Sequence, residues 1–223
     1  MRDYDVAVQI LEAELGQVEQ VYRGLTESDW RTPTLLRPVD EKLPPWTLFE
    51  LAGHFDISIG LARMLIASQQ PGQVGRDRVS FFIFPRSEVA PGVYDYAYTM
   101  VDGKQPGQMA DVLSETFGKT IQEARATSPD TVGSGYYALM RLGEFIPSRV
   151  VEAVVHGVDL TDTLGQDSVA TPGGLAMTAA ILDELLARRT VGERPADLSD
   201  DMAWVRAASG RSPHPDPRLP LIG

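Results

Sequence analysis

The chain has 223 residues, 43% of them hydrophobic, and sets 31 Asp and Glu against 20 Lys and Arg for a formal net charge of −11. That length and apolar share can fill a real core, and the acidic balance argues against duplex DNA, RNA or an anionic membrane surface, which are gripped by Lys and Arg. Cysteine is absent, which excludes disulfides, thiolate metal ligands and a cysteine nucleophile, so any thiol chemistry must use an imported thiol.

Taken in chain order, Tyr4, Ala7, Val8, Leu11, Leu15, Val18, Val21, Tyr22 and Leu25 recur at helical spacing and predict a first amphipathic helix over 3–25. A loop with Pro33, Pro38, Pro44 and Pro45 follows. Thr47 and Glu50 then form a capping-box signature that opens a second helix running to Ser68 and carrying His54. Residues 69–92 are rich in Gly and Pro, and the apolar run 79–84 reads equally as a short strand or as a loop packed on the core. Tyr94 to Val101 has helical character, and Pro106 to Ala126 predicts a third long helix with Met109, Val112, Leu113, Phe117 and Ile121 on one face. A fourth spans Leu142 to Leu164, where Pro147 should kink it or mark its start. Thr171 and Pro172 open a fifth helix ending near Arg189, and Ser199 caps a sixth ending at Gly210, before an extended proline-rich tail.

These elements describe a mainly α protein, with a bundle over 1–165 and a small helical appendage with its tail over 166–223. No apolar run approaches the roughly 18–20 residues that span a bilayer. The opening MRDYDVAVQI lacks the basic-then-apolar plan of a signal peptide, so a cytoplasmic protein with small-molecule partners is expected.

The stretch from Arg149 to His156 places a guanidinium, a carboxylate and an imidazole in a run of valines and alanine. On a helix, Glu152 and His156 lie about 40° apart on neighbouring turns, with Arg149 one turn earlier on the same side. Each such group costs several kcal/mol to desolvate unless it is paired or bound to a metal. His54 lies at the edge of the apolar stripe of its own helix and should point inward. Two histidines and a carboxylate suit zinc, which in catalytic sites keeps a fourth position open, and iron(II) or nickel would also accept them. The competing reading is a metal-free buried network of Glu152, Arg149 and His156 that stabilises the bundle.

Trp46-Thr47-Leu48 followed by His54, the set Arg149, Glu152, His156, Gly157, Asp159 and Leu160, and Ala208-Ser-Gly-Arg211 ahead of the tail from Pro213 to Pro220 carry a family resemblance. The chain resembles the mycothiol-dependent maleylpyruvate isomerase family of the DinB-like superfamily. The resemblance implies an antiparallel four-helix bundle holding a divalent metal, usually zinc, on His54, Glu152 and His156. It also implies mycothiol, the low-molecular-weight thiol of actinobacteria, as cosubstrate. A metal with an open position would lower the thiol pKa and so make the nucleophile at neutral pH. Attack on a small electrophile then gives S-transfer or thiol-assisted cis–trans isomerisation. A non-catalytic metal-binding or regulatory module of the same fold is the alternative. The resemblance names a family more sharply than a substrate, since Val158 stands where members often carry Trp and the region after 165 is short for the isomerase's mixed α/β appendage.

Further residues have two readings each. Arg149 either holds a substrate carboxylate bidentately or partners Glu152. Asp159 either orients His156 or caps the helix end in solvent. Arg211 reaches polar groups of the thiol cosubstrate if the tail folds back over the bundle mouth, and otherwise packs the tail. His214 is a remote ligand candidate, and Phe81, Phe82, Phe84, Tyr94, Tyr96 and Tyr98 either wall a pocket or fill the core.

Overall fold

The computed structural model describes residues 3–36, 38, 42–84, 86–136 and 138–222. Its helices are α1 (Asp3–Gly24), α2 (Glu27–Trp30), α3 (Leu48–Ala67), α4 (Arg86–Val101), α5 (Pro106–Ala126), α6 (Leu142–Thr163), α7 (Pro172–Arg189) and α8 (Asp201–Ala208). A short antiparallel hairpin, β1 (Val132–Ser134) with β2 (Leu139–Arg141), joins α5 to α6.

The long helices α1, α3, α5 and α6 form the bundle, and their cross-links set its directions. Tyr4 Oη donates to the Ala124 carbonyl at 2.7 Å and Arg23 pairs with Asp111, so the start of α1 meets the end of α5 and the reverse. Thr116 donates to Asp56 and Arg63 pairs with Glu123, so α3 and α5 run parallel. Arg149 reaches the Ser58 carbonyl and His156 reaches His54, which makes α3 and α6 antiparallel. The order is up, down, down, up. Because two consecutive bundle helices run the same way, the chain between them must return along the bundle, and α4 belongs to that crossover.

The helix α4 crosses α3 where the latter has Gly53: an added Cβ would come 2.5 Å from the Ala97 carbonyl oxygen. Only a glycine permits that approach, one residue before His54. The other end of α3 meets β1 in the same way, since a Cβ on Gly133 would lie 2.0 Å from the Leu65 carbonyl oxygen.

Most predicted elements are found with their caps. Thr47 accepts from Phe49 N while Glu50 accepts from Thr47 N at 2.8 Å, closing the capping box of α3. Thr171 accepts from Gly174 N at the start of α7. The run 79–84 is not a strand: Asp77 draws the amides of Val79 and Ser80 to its carboxylate, at 3.1 and 2.8 Å, and winds Ser80–Phe82 into a 3-10 turn with Phe81 and Phe82 buried. Pro147 falls inside α6, which begins at Leu142. The cap of α8 is Asp200, one residue beyond the expected Ser199. The expected helix over Tyr94 to Val101 extends back to Arg86, and α2 and the hairpin were not expected.

The core runs without a break from α1, α3, α5 and α6 into Ile181, Leu182 and Leu185 of α7 and Trp204 of α8. Arg188 of α7 pairs with Asp77 at 2.8 Å and Arg189 donates to the Phe82 carbonyl at 3.0 Å, so α7 holds the 3-10 turn against the bundle.

Candidate metal centre

The antiparallel pairing of α3 with α6 brings the rings of His54 and His156 together edge-on, their centroids 4.5 Å apart, with Glu152 one turn away on α6. The two Nε2 atoms are 3.0 Å apart, and each lies 3.5 Å from Glu152 Oε2. Ligand atoms of this set lie within 4.8 Å of one another, and it is the one such group of His, Asp and Glu among the described residues. His54 is buried, while the side chains of His156 and Glu152 keep 14% and 18% exposure, so the cluster opens narrowly to solvent.

The donor set fits a divalent cation. Asp159 Oδ2 lies 2.8 Å from His156 Nδ1. An ionised carboxylate only accepts, so Nδ1 carries the proton and the Nε2 lone pair of a neutral His156 points at Glu152 and His54. The lone pair of His156 Nε2 and the Glu152 carboxylate repel unless a cation, or a proton on His54 Nε2, lies between them, and all three atoms are ones a divalent ion accepts as ligands. A point about 2.0 Å from all three exists just off their plane, the bond length zinc takes to imidazole and carboxylate.

The surroundings tune each group. Burial alone would raise the Glu152 carboxyl, but the imidazoles of His156 and His54 beside it and the charge of Arg149 outweigh burial and hold the group well below its ordinary value. Burial and the neighbouring His156 push His54 down, against Glu152. His156 is desolvated as well, yet the carboxylates of Asp159 and Glu152 lift it above its usual value. Asp159 overcomes its own desolvation through Arg211 and His156 and is held at about 2.

Trp46 stacks on His54 with ring centroids 5.2 Å apart, and Tyr94 of α4 continues the stack at 6.0 Å from Trp46. Phe55 meets His156 edge-on at 6.0 Å. These rings wall the centre on the side of α3 and α4. Of the other aromatics, Phe81 and Phe82 are core residues and Tyr96 is exposed, while Tyr94, with Tyr98 bonded to it, belongs to that wall.

Arg149 acts on Glu152 through its charge, without a direct bond to it. Its guanidinium is fully buried, 4.6 Å from the Phe81 ring centroid and 4.5 Å from that of Phe145. It donates to the Ser58 carbonyl at 2.8 Å and twice to Ser148 Oγ, and among the described residues it forms no ion pair with a carboxylate. Burial lowers it to about 10 while Glu152 acts on it at longer range. Arg211 comes to the edge of the centre and forks onto Asp159, its Nε 2.9 Å from Oδ1 and its Nη2 2.7 Å from Oδ2. Asp159 is therefore neither a cap nor solvated. His214 stays away, bonded to Asp197 and to the amide of Asp216. Trp46 was part of the sequence motif without a role, and its stacking on His54 supplies one.

No curated protein matches the chain. Among solved structures, a histidine-to-alanine mutant of the mycothiol-dependent maleylpyruvate isomerase matches with a TM-score of 0.65 over 94% of this chain and 90% of that one, at 14% identity. At that identity the likeness shows the fold alone, a mainly helical DinB-like bundle. The family description that matches is the mycothiol maleylpyruvate isomerase N-terminal domain, over residues 11–161, a span that includes His54, Glu152 and His156. Through that match, which spans well over half its length, the chain belongs to the mycothiol maleylpyruvate isomerase family.

Proposed function

We propose that the chain is a mycothiol-dependent enzyme in which His54, Glu152 and His156 hold one divalent metal ion, with zinc the ion their donors fit. The observation that carries this reading is the convergence of two imidazole nitrogens and a carboxylate oxygen at 3.0 to 3.5 Å in a narrowly open site, within a chain of this family. When bound, such an ion supplies a Lewis acid that lowers the pKa of a thiol, so that a nucleophile exists at neutral pH. The chain has no cysteine to supply that thiol, and the family description that it matches names mycothiol.

The chain's own residues prepare the site. Glu152 stays ionised and gives the centre one negative charge. Asp159 holds the Nδ1 proton of His156, leaving Nε2 free to ligate. The indole of Trp46 and the ring of Phe55 exclude water behind the two imidazoles. Arg211 spends three of its five N–H groups on Asp159 and the Ser209 carbonyl, and the remaining two could donate to an anionic group of the cosubstrate. Arg149, shut between two phenyl rings, acts through its charge on Glu152 rather than by gripping substrate.

The reaction we favour is cis–trans isomerisation of a small conjugated electrophile, the outcome named for the structurally similar isomerase. The thiolate sulfur bonds to one alkene carbon and the π pair moves onto the conjugated carbonyl. The C–C bond, now single, rotates, and return of the pair breaks the C–S bond and releases the thiolate with the trans product. No net oxidation occurs. Residues 1–165 are proposed as the metal-binding bundle and 166–223 as an appendage that closes one side of it. The partners are small molecules, and no helix among the described residues is long and apolar enough to cross a membrane.

The test is to follow maleylpyruvate and other cis-configured conjugated acids spectroscopically with zinc-supplemented protein and mycothiol. Conversion that requires mycothiol but does not consume it supports isomerisation. Consumption of one thiol per product would replace it with S-transfer, and no turnover of any electrophile would overturn the enzyme reading.

A further inference from the structure

His156 is held from behind by a residue that is itself held by the C-terminal segment. At the end of α8, Gly210 takes a left-handed conformation (φ 75°), and the amides of Arg211 and Ser212 turn back to the Arg206 carbonyl at 2.7 and 3.1 Å. The tail then returns, with Leu221 buried and the amides of Leu221 and Ile222 bonded to the Ala208 carbonyl. This turn aims Arg211 at α6. Its fork takes both oxygens of Asp159, and its remaining nitrogen is anchored on the Ser209 carbonyl at 2.6 Å. Asp159 has only 5% of its side chain exposed, and among the described residues its one other side-chain partner is His156 Nδ1 at 2.8 Å.

The arrangement has a built-in control. One turn further along α6, Asp162 pairs with Arg206 of the same C-terminal segment, and among the described residues Asp162 touches no histidine. Both bridges clasp α8 to α6, but only one of them continues to a ligand of the centre. A ligating imidazole is commonly fixed in tautomer and angle by a carboxylate on its far nitrogen, and loss of that carboxylate costs about 10–100-fold in metal affinity. Here the carboxylate could rotate about its own side chain were it bonded to His156 alone. A bidentate guanidinium removes that freedom.

We propose that Arg211 is a positioning residue of the metal centre: by holding both oxygens of Asp159 it fixes the ring of His156, and so couples docking of the C-terminal segment to retention of the ion. This inference rests on the metal reading above and extends it to a residue that touches no ligand directly.

Zinc affinity of the full chain, measured by competition with a chromophoric chelator, tests it. Arg211→Gln and Asp159→Asn should each weaken zinc binding about 10–100-fold. The double variant should bind no worse than Asp159→Asn alone, because both act along one path. Arg206→Gln, which breaks the neighbouring clasp, should leave the affinity unchanged. Wild-type affinity in Arg211→Gln, additive losses in the double variant, or an equal loss in Arg206→Gln would overturn the proposal. Should Arg211→Gln fail to fold, Arg211→Lys replaces it, with the visible spectrum of the cobalt-substituted protein as a second readout. An unchanged spectrum and affinity there overturn the proposal, and a shifted spectrum with weaker binding supports it. A wild-type chain that binds no zinc would overturn this inference and the metal reading together, whereas tight binding in both wild type and Arg211→Gln removes the inference alone.

Discussion

Replacing Gly53 by alanine should destabilise the protein, although helix propensity alone predicts the opposite sign. Within a helix, alanine is favoured over glycine by about 1 kcal/mol. At position 53 the new Cβ would lie 2.5 Å from the Ala97 carbonyl oxygen, 2.9 Å from Val101 Cγ1 and 3.2 Å from Met100 Cβ. The first of these is backbone and cannot be relieved by a rotamer change, so α4 must move away from α3. Overpacking of this kind costs about 1–3 kcal/mol, and the upper part of that range applies where backbone meets Cβ. The net loss is then about 1–2 kcal/mol, or a melting temperature lower by roughly 2–8 °C for a chain of this size. Gly118 supplies the comparison, because a Cβ there meets nothing within 4 Å. Gly118→Ala should raise the melting temperature by about 2–4 °C through propensity alone. The consequence reaches the site, since α4 carries Tyr94, which backs Trp46 against His54. Thermal melts of the two variants, followed by circular dichroism, decide the matter. If Gly53→Ala melts at or above the wild type, the close crossing of α4 over α3 is wrong.

Two other perturbations separate roles inside the site. Arg149→Lys keeps the charge but loses the fork that bonds Ser58 and Ser148, so the melting temperature should fall while the KM of the folded enzyme stays unchanged; a raised KM at an unchanged melting temperature would return Arg149 to the substrate. The folded pKa of Asp159 is depressed from 3.8 to about 2, so its stabilisation is present above pH 3.8 and is lost as pH falls through 2. The stability gap between chelator-treated wild type and Asp159→Asn in denaturant titrations should therefore narrow by about 2 kcal/mol between pH 5 and pH 2, and a gap that does not change with pH would contradict the pairing with Arg211 and His156.

The sequence shows elements whose ends are fixed by local chemistry. Thr47 with Glu50, and Thr171 ahead of Pro172, mark helix starts because a side chain a few residues away satisfies the free amides. The start of α4 is obscured by Pro91 and Gly92, which dilute the helical period. The hairpin is invisible because strands of three residues have too few positions to alternate, and β1 is held by its packing on Leu65. The clustering of His54, Glu152 and His156 could be named in advance, since the spacing of Glu152 and His156 fixes their shared face and His54 lies on the edge of an apolar stripe. What holds Asp159 could not, because Arg211 reaches it only through the turn at Gly210 and the return of the tail. Arg149 reads as buried from its apolar neighbours, but its partners Phe81 and Ser58 come from distant segments that only the folded chain brings together.

The most direct test of the account is the metal content of the purified chain and its ligand variants. Elemental analysis after exhaustive dialysis should give one divalent ion per chain in the wild type and almost none in His54→Ala, His156→Ala or Glu152→Ala, because two remaining protein ligands lose most of the affinity. His214→Ala, which removes the one histidine outside the cluster, should keep the full ion. Full occupancy in both His54→Ala and His156→Ala would contradict the assignment of the centre.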